Sequence, residues 1–306
     1  MEVGDMESRE NLKYRRWAEK IFAIVAVTLI VFALIVLLGL TAGMFIDGLP
    51  RLNWQFFMSF PSRHAKEAGL LSAWVGTVLV MSLAALFSIP VGIAAGIYLE
   101  EYGKDNWLAG LIEVNVTNLA AVPPIIYGLV ALGIFVQSWN LGESVLTGGL
   151  TVALLMLPTV VVVSREAIRA IPASLKEAAY AVGASKWQVI WDHVLPYSLG
   201  SILTGIIVAV SRAIGETAPL ITVGALTYIA FLPEAPFTSK FPFISFQWLQ
   251  APFTVVPIQM FNWISRASTD FQANAAAAGA VLVLLTLFMN GVAIYLRYRL
   301  RKAVQW

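Results

Sequence analysis

Cysteine is missing from the 306-residue sequence, and histidine nearly so, with only His64 and His193. The first absence excludes disulfides and thiolate-held metals, and the second leaves too few imidazoles for a histidine metal site. Charge is scarce as well. Asp, Glu, Lys and Arg together make 12% of the residues, against roughly 25% in a soluble domain. Apolar side chains fill the deficit at 59%, so most of the chain is not built to meet water. The net charge of +2 gives no reason to expect a nucleic-acid partner. No stretch reads GxxxxGK[ST], so ATP is not bound here by a phosphate loop. No internal repeat stands out, and no set of catalytic groups converges on one face. The chain is therefore expected to lack catalytic residues, cofactors and metals.

What the sequence has in quantity is long apolar runs. A bilayer-crossing helix needs about 20 apolar residues. Six stretches reach that length, at 21–44, 73–99, 117–136, 145–163, 200–231 and 274–296. They predict an all-α fold, a polytopic membrane helical bundle of six transmembrane helices in a lipid bilayer. Lys13, Arg15, Arg16 and Lys20 precede the first run, as in a signal peptide. The run is longer than the roughly 7–15 apolar residues of such signals, which favours an anchor.

Lys and Arg set the orientation. With the N-terminus inside, the cytoplasmic segments hold fourteen: Arg9, Lys13, Arg15, Arg16, Lys20, Lys104, Arg165, Arg169, Lys176, Lys186, Arg297, Arg299, Arg301 and Lys302. The outer segments hold five, Arg51, Arg63, Lys66, Lys240 and Arg266. Both termini are thus expected in the cytoplasm, in agreement with an even number of spans. The longer outer loops, 45–72 and 232–273, carry Trp54, Phe56, Phe57, Phe60, Trp248, Phe253, Phe261 and Trp263. Such aromatics usually line the membrane interface. A docking surface for an extracytoplasmic partner is the alternative. Prolines punctuate the spans. Pro123-Pro124 opens the third, Pro158 closes the fourth, and Gly215 and Pro219 interrupt the fifth. A proline in a span frees backbone groups that neighbours or cavity water must satisfy.

Residues 164–199 read as a helix-turn-helix. Ser174 to Glu177 and Ser185 to Gln188 have capping-box spacing. Gly183 suits a left-handed cap after the first helix, and Pro196 should stop the second. Trp187, Ile190, Trp191 and Val194 fall on one helical stripe. Two capped helices with small residues Ala178, Ala179 and Gly183 make a stiff docking element for a cytoplasmic partner. A loop lying on its own bundle is the plainer reading.

Glu177-Ala178-Ala179, then three residues, then Gly183, then a stretch ending in Leu195-Pro196, resembles the EAA loop of ABC importer permeases. His193 stands where that pattern usually has an aliphatic residue, and reads as interfacial. The resemblance extends over roughly residues 50–300. Phe60-Pro61-Ser62-Arg63, the run from Asn118 through Pro123-Pro124 to Gly128, Arg212-Ala213-Ile214-Gly215-Glu216-Thr217-Ala218-Pro219-Leu220, and Pro252 to Gln259 are similar to phosphate importer permeases. The resemblance implies a MetI-like core and a permease subunit of the bacterial inner membrane that moves phosphate by alternating access. It implies four kinds of partner: a second homologous permease in a heterodimer, a cytoplasmic ATPase dimer, an extracytoplasmic phosphate-binding protein, and phosphate itself. It assigns ATPase coupling to Glu177, Ala178, Ala179, Gly183, Trp187, Leu195 and Pro196. The chain then divides into a cytoplasmic segment 1–20, an anchor 21–44, an outer loop 45–72, a permease domain 73–296 and a basic tail 297–306.

Arg212 and Glu216 are charges inside the fifth stretch, four residues apart and so on one helical face. An intramembrane charge is expensive to insert. One reading is a neutralising pair that holds the bundle together. The other places Arg212, Glu216 and Thr217 on the substrate pathway, where a guanidinium's planar fork of donors meets an oxyanion. Arg165 and Arg169 fit positive-inside anchoring, with an inner-mouth role as the alternative. Glu100 and Glu101 read as solvated or paired with Lys104. Physics alone does not separate phosphate from sulfate or molybdate. A stand-alone secondary transporter would leave the capped loop without a purpose.

Overall fold

The computed structural model describes residues 2–103, 106–235 and 245–303, with side chains in those ranges from residue 15 to residue 299. Every element among them is helical. In chain order they are α1 (Glu2–Gly48), α2 (Trp54–Met58), α3 (Leu71–Ile97), α4 (Trp107–Leu119), α5 (Pro124–Ala131), α6 (Val145–Arg169), α7 (Ala173–Ala181), α8 (Lys186–Gln188), α9 (Leu195–Gly215), α10 (Ala218–Thr222), α11 (Val256–Ile264) and α12 (Thr269–Ala303). The helix widens into π turns at Tyr98–Tyr102 after α3, at Leu132–Ser138 after α5, and at Val189–Val194 between α8 and α9. Helices prevail because an apolar run in lipid must satisfy its own backbone.

Five segments are long and apolar enough to cross a membrane: Arg15–Arg51, Leu71–Tyr102, Val145–Arg169, Lys186–Gly215 and Thr269–Arg299. A sixth exists if Trp107–Leu119 and Pro124–Ser138, bent by 113° at the break between them, count as one span. The third expected span, 117–136, is therefore a broken pair. The fifth, expected at 200–231, begins earlier and ends at Gly215. Pro158 does not close the fourth, because α6 runs on to Arg169. Around it α6 packs closely on α3, with Gly92 against Val160 and Gly149 against Leu83. Lys104 and Lys240 lie outside the described residues, as do the side chains of Arg9, Lys13, Arg301 and Lys302.

The central core joins α3, α6 and α9 through Val80, Met81, Ala84, Val152, Met156, Val160, Ile202 and Ile206. Here α9 approaches α6 so closely that a Cβ on Gly205 would overlap the Val163 side chain. Small interfacial residues are the usual means of such packing in a membrane, where lipid supplies no hydrophobic drive between helices.

A second core lies at one end of the bundle, where Phe56, Leu70, Ala73, Val256, Trp263, Phe271 and Ala278 pack together. Phe56, Phe253 and Trp263 were expected at the interface but are buried. The segments that carry them fold back onto α3 and α12 instead of spreading along a membrane surface. Trp54 and Phe261 stay exposed. Arg51 fastens this end. Its guanidinium donates to Asn274 Oδ1 (2.5 Å) and to the carbonyls of Ala65 (2.7 Å), Lys66 (3.0 Å) and Ala68 (3.1 Å). Four acceptors draw the 65–68 turn onto α12.

Candidate functional site

Two interrupted helices meet in the middle of the bundle. Helix α9 stops at Gly215 because the backbone of Glu216 turns extended (φ −80°, ψ 105°), and α10 restarts with Pro219 in its first turn. Helix α4 stops at Leu119, and Pro123 (φ −56°, ψ 135°) leads into Pro124 at the start of α5. A residue before proline is pushed out of the α region, so consecutive prolines force the bend. Tyr127 Oη donates across it to the Leu119 carbonyl (2.7 Å). The second halves pack face to face, with Gly128 so close to Pro219 and Thr222 that a Cβ there would overlap them.

A small cavity opens between the breaks, lined by Leu119, Val122, Tyr127, Met156, Thr159 and Arg212 among others. Met156 and Thr159 lie midway along α6, which puts Arg212 at the middle depth of the bundle. Arg212 Nε stands 3.7 Å from Glu216 Oε1, with the two side chains 60% and 25% exposed. The sequence placed both on one continuous helical face. Instead Arg212 sits in the last turn of α9 and Glu216 is the first residue past it, so the pair bridges a break. Thr217 follows, its Oγ1 donating to the Gly215 carbonyl at 3.5 Å. A cation at this place offsets the negative end of α9. At 3.7 Å the carboxylate also leaves much of the guanidinium fork available to an oxyanion.

The 164–199 loop lies at one end of the bundle and departs from its expected form in three ways. Ser174 makes no cap, because α7 begins one residue before it with Pro172 as N-cap. Proline's preset φ starts the helix without a side-chain acceptor. Pro196 does not stop the second helix. It falls in the first turn of α9, directly after the π turn that joins α8 to α9 without a gap, so the helix continues past it. The stripe also splits: Ile190 and Val194 are buried, whereas Trp187 and Trp191 are exposed and stacked at 5.5 Å. A π turn advances the helical phase, so the α spacing no longer describes one face.

Other features take the expected form. Ser185 and Gln188 form a reciprocal capping box. Gly183 is left-handed at φ 88°. Its N–H bonds the Tyr180 carbonyl (2.9 Å) and the Ala184 N–H bonds the Ala179 carbonyl (3.1 Å), the pairing of a Schellman motif. Ile168, Ala179, Val189 and Val194 seat the loop on the bundle. Glu177, Ala178, Gly183 and Trp187 face out, with Val182 85% exposed. Burial, and then the nearby Glu101, push the Tyr180 phenol upward.

Glu100 and Glu101 are not solvated. Glu100 is 5% exposed, with Oε2 at 3.5 Å from Arg165 Nε and 3.6 Å from Arg169 Nε. Arg165 Nη1 also meets Glu113 Oε1 of α4 at 2.5 Å, and Arg169 Nη1 lies 3.7 Å from Glu166 Oε1. Two guanidiniums thus face three carboxylates. Glu101 pairs with Lys176 of α7. Sequence reasoning missed this network because its members come from four elements, the π turn, α4, α6 and α7, and the contacts between those elements follow no local spacing.

Residues 88–302 match the family described as binding-protein-dependent transport system inner membrane component. The chain is 30% identical over 264 residues to the probable ABC transporter permease protein YqgI of Bacillus subtilis, spanning 85% of this chain and 88% of that protein. It is 30% identical over 289 residues to the phosphate transport system permease protein PstA of Yersinia pestis, spanning 94% and 92%. Among solved structures, a bacterial alginate ABC transporter aligns with TM-score 0.64 and 15% identity, over 92% of this chain and 95% of that one. The MetNI methionine ABC transporter, in an inward-facing form, aligns with TM-score 0.53 and 14% identity, over 76% and 92%. At these identities the structural likeness is one of fold.

Proposed function

We propose, from the premise that the chain belongs to the family of binding-protein-dependent transport system inner membrane components, that it carries inorganic phosphate inward past Arg212. The chain is an ABC importer permease, a multi-pass membrane translocation component. Phosphate is the substrate we favour because relatives over nearly the whole chain bear that name. The observation that carries the site is Arg212 at middle depth, beside two helix breaks and loosely held by Glu216. Irregular backbone at that depth is tolerated where it lines a cavity. A guanidinium offers the donors a phosphate dianion needs, and Glu216 keeps the empty site near neutral. Thr217 completes the pathway set.

In this reading both termini are cytoplasmic, and the exposed face of 174–196 docks an ATPase dimer that hydrolyses ATP. Glu177, Ala178, Gly183 and Trp187 meet it, Ala179 is buried and instead seats that face on the bundle, and Leu195-Pro196 hand movement on to α9. A second homologous permease completes the membrane pair, and an extracytoplasmic binding protein delivers phosphate. The permease domain occupies 73–296, preceded by the anchor 21–44. Arg165 and Arg169, already faced by carboxylates, act in structure more than at an inner mouth.

Uptake of radiolabelled phosphate, sulfate and molybdate by the reconstituted complex tests the substrate. Phosphate uptake that depends on ATP and on Arg212 is expected. Preference for sulfate or molybdate would reassign the anion, and uptake without an ATPase would overturn the class.

A further inference from the structure

Three consecutive residues after α3 reach three different elements. Glu100 holds Arg165 and Arg169 of α6. Glu101 pairs with Lys176 of α7. The Tyr102 ring lies under Lys186 of α8, whose Nζ is 4.2 Å from the ring centroid, and stacks on Tyr98 at 6.4 Å. All of them belong to the π turn Tyr98–Tyr102. A π turn is a local defect in the helical ladder, frequently found at functional sites. Successive side chains there fan around the axis, so one short turn can grip both loop helices and the bundle together.

The chain of contacts continues. Arg165, held by Glu100, also holds Glu113 on α4. Glu113 lies six residues before the end of α4 at Leu119, or ~9 Å along a helix. Leu119 then lines the cavity beside Arg212. Helix α4 is otherwise weakly fixed, with Ala109 its only buried residue. Cavities of about 200 and 240 Å³ flank the Arg165–Glu113 contact, lined by α4, α6 and the π turn. The ion pair therefore holds α4 beside open space into which it can shift.

We infer that the Tyr98–Tyr102 π turn is a mechanical joint, in which Glu101 and Tyr102 receive movement of the loop and Glu100, through Arg165 and Glu113, passes it to the broken α4–α5 helix. Glu101, Tyr102, Arg165 and Glu113 are positioning residues that never touch the anion. Contiguity alone does not establish coupling, so the test must separate transport from hydrolysis. The inference rests on the proposal that the loop docks an ATPase.

The experiment measures phosphate uptake and ATP hydrolysis side by side in the complete reconstituted transporter. For Glu101→Gln and for Glu113→Gln, ATP hydrolysis is expected to continue while phosphate moved per ATP falls at least tenfold. Exchanging the charges, with Glu101→Lys and Lys176→Glu together, should restore the ratio. A wild-type ratio in both single variants would overturn the joint. So would loss of assembly in the single variants, together with an exchanged pair that assembles yet stays uncoupled. The underlying docking is checked separately by cross-linking Val182→Cys to the ATPase in the otherwise unaltered complex. No cross-link there would overturn the docking proposal itself, whatever the π-turn variants do.

Discussion

Asn274, fully buried on α12, accepts the Nε hydrogen of Arg51 at 2.5 Å and donates its own amide to the Ala65 carbonyl at 2.8 Å. One side chain thus ties the end of the first span, a turn of the 45–72 segment and the last helix together. Removing it leaves a guanidinium without its side-chain acceptor and the Ala65 carbonyl with Arg51 as its remaining side-chain donor. Hydrogen bonds to charged groups contribute about 1.5–3 kcal/mol each. Asn274→Leu is expected to destabilise the protein by about that much and to lower its melting temperature in detergent. Arg51→Lys should behave similarly, because an ammonium cannot reach four acceptors in a planar fork. Thermal unfolding of the purified variants checks this, and an unchanged midpoint for both would refute it.

The Arg212–Glu216 contact makes a prediction that separates substrate recognition from structure. If Arg212 meets the anion, Arg212→Gln abolishes phosphate uptake in an assembled complex, and Arg212→Lys gives little or none. Glu216→Gln is harmful as well, since it removes the counter-charge. If the pair only stabilises the bundle, each single neutral variant loses assembly, and the double variant recovers both assembly and transport. Uptake and complex yield, measured together on all of them, decide between the outcomes.

Gly183 sits at φ 88° with no atom within 4 Å of where a Cβ would lie. A valine there meets no steric wall but strains the backbone by roughly 1–2 kcal/mol. We expect Gly183→Val to leave the protein in the membrane while ATP-driven uptake falls and the ATPase co-purifies poorly. Ser185→Ala, which deletes a formed capping box, should produce a milder loss of order 1 kcal/mol in the same element. Normal co-purification and normal uptake in Gly183→Val would count against loop docking.

Lys and Arg number fourteen against five across the two assigned faces, so both termini should be cytoplasmic. Fusions after Trp306 to a reporter active only outside the cytoplasm should stay silent, and fusions to a cytoplasmic reporter should be active. The opposite pattern would invert the assignment of the loop and of Arg51 alike.

Much of this architecture is written in local pattern. The long apolar runs announce the spans, Gly215 and Pro219 announce the break in the fifth, and Ser185, Gln188 and Gly183 announce the turn between α7 and α8. Each of these signals acts within a few residues. What sequence concealed depends on partners far along the chain. Pro123-Pro124 implies a bend but not its 113°, since α5 also packs closely on α10, with Gly128 against Pro219 and Thr222. Pro196 resembles a stop signal, yet a π turn before it lets the helix continue. Arg51, Glu100 and Glu101 look like ordinary flanking charges. Their meaning lies in Asn274, Arg165 and Lys176, which only the folded chain brings near. For Arg212 the sequence supplied the residue and the suspicion, and the fold supplied the depth.

Helix α1 touches the rest of the bundle chiefly at its far end, where Gly48 lies against the backbone of Ala276 and Ala277, and no residue in its most apolar window is buried inside the chain. In α6 more than half of the corresponding window is buried, and that helix carries Gly148, Gly149, Thr151 and Pro158. The two therefore face different problems during biosynthesis. The first is apolar on every side and can partition into lipid as soon as it leaves the translocon, before any neighbour has been made. The other is shaped for companions that include a helix synthesised after it, and it must wait in the membrane until α9 arrives to cover it.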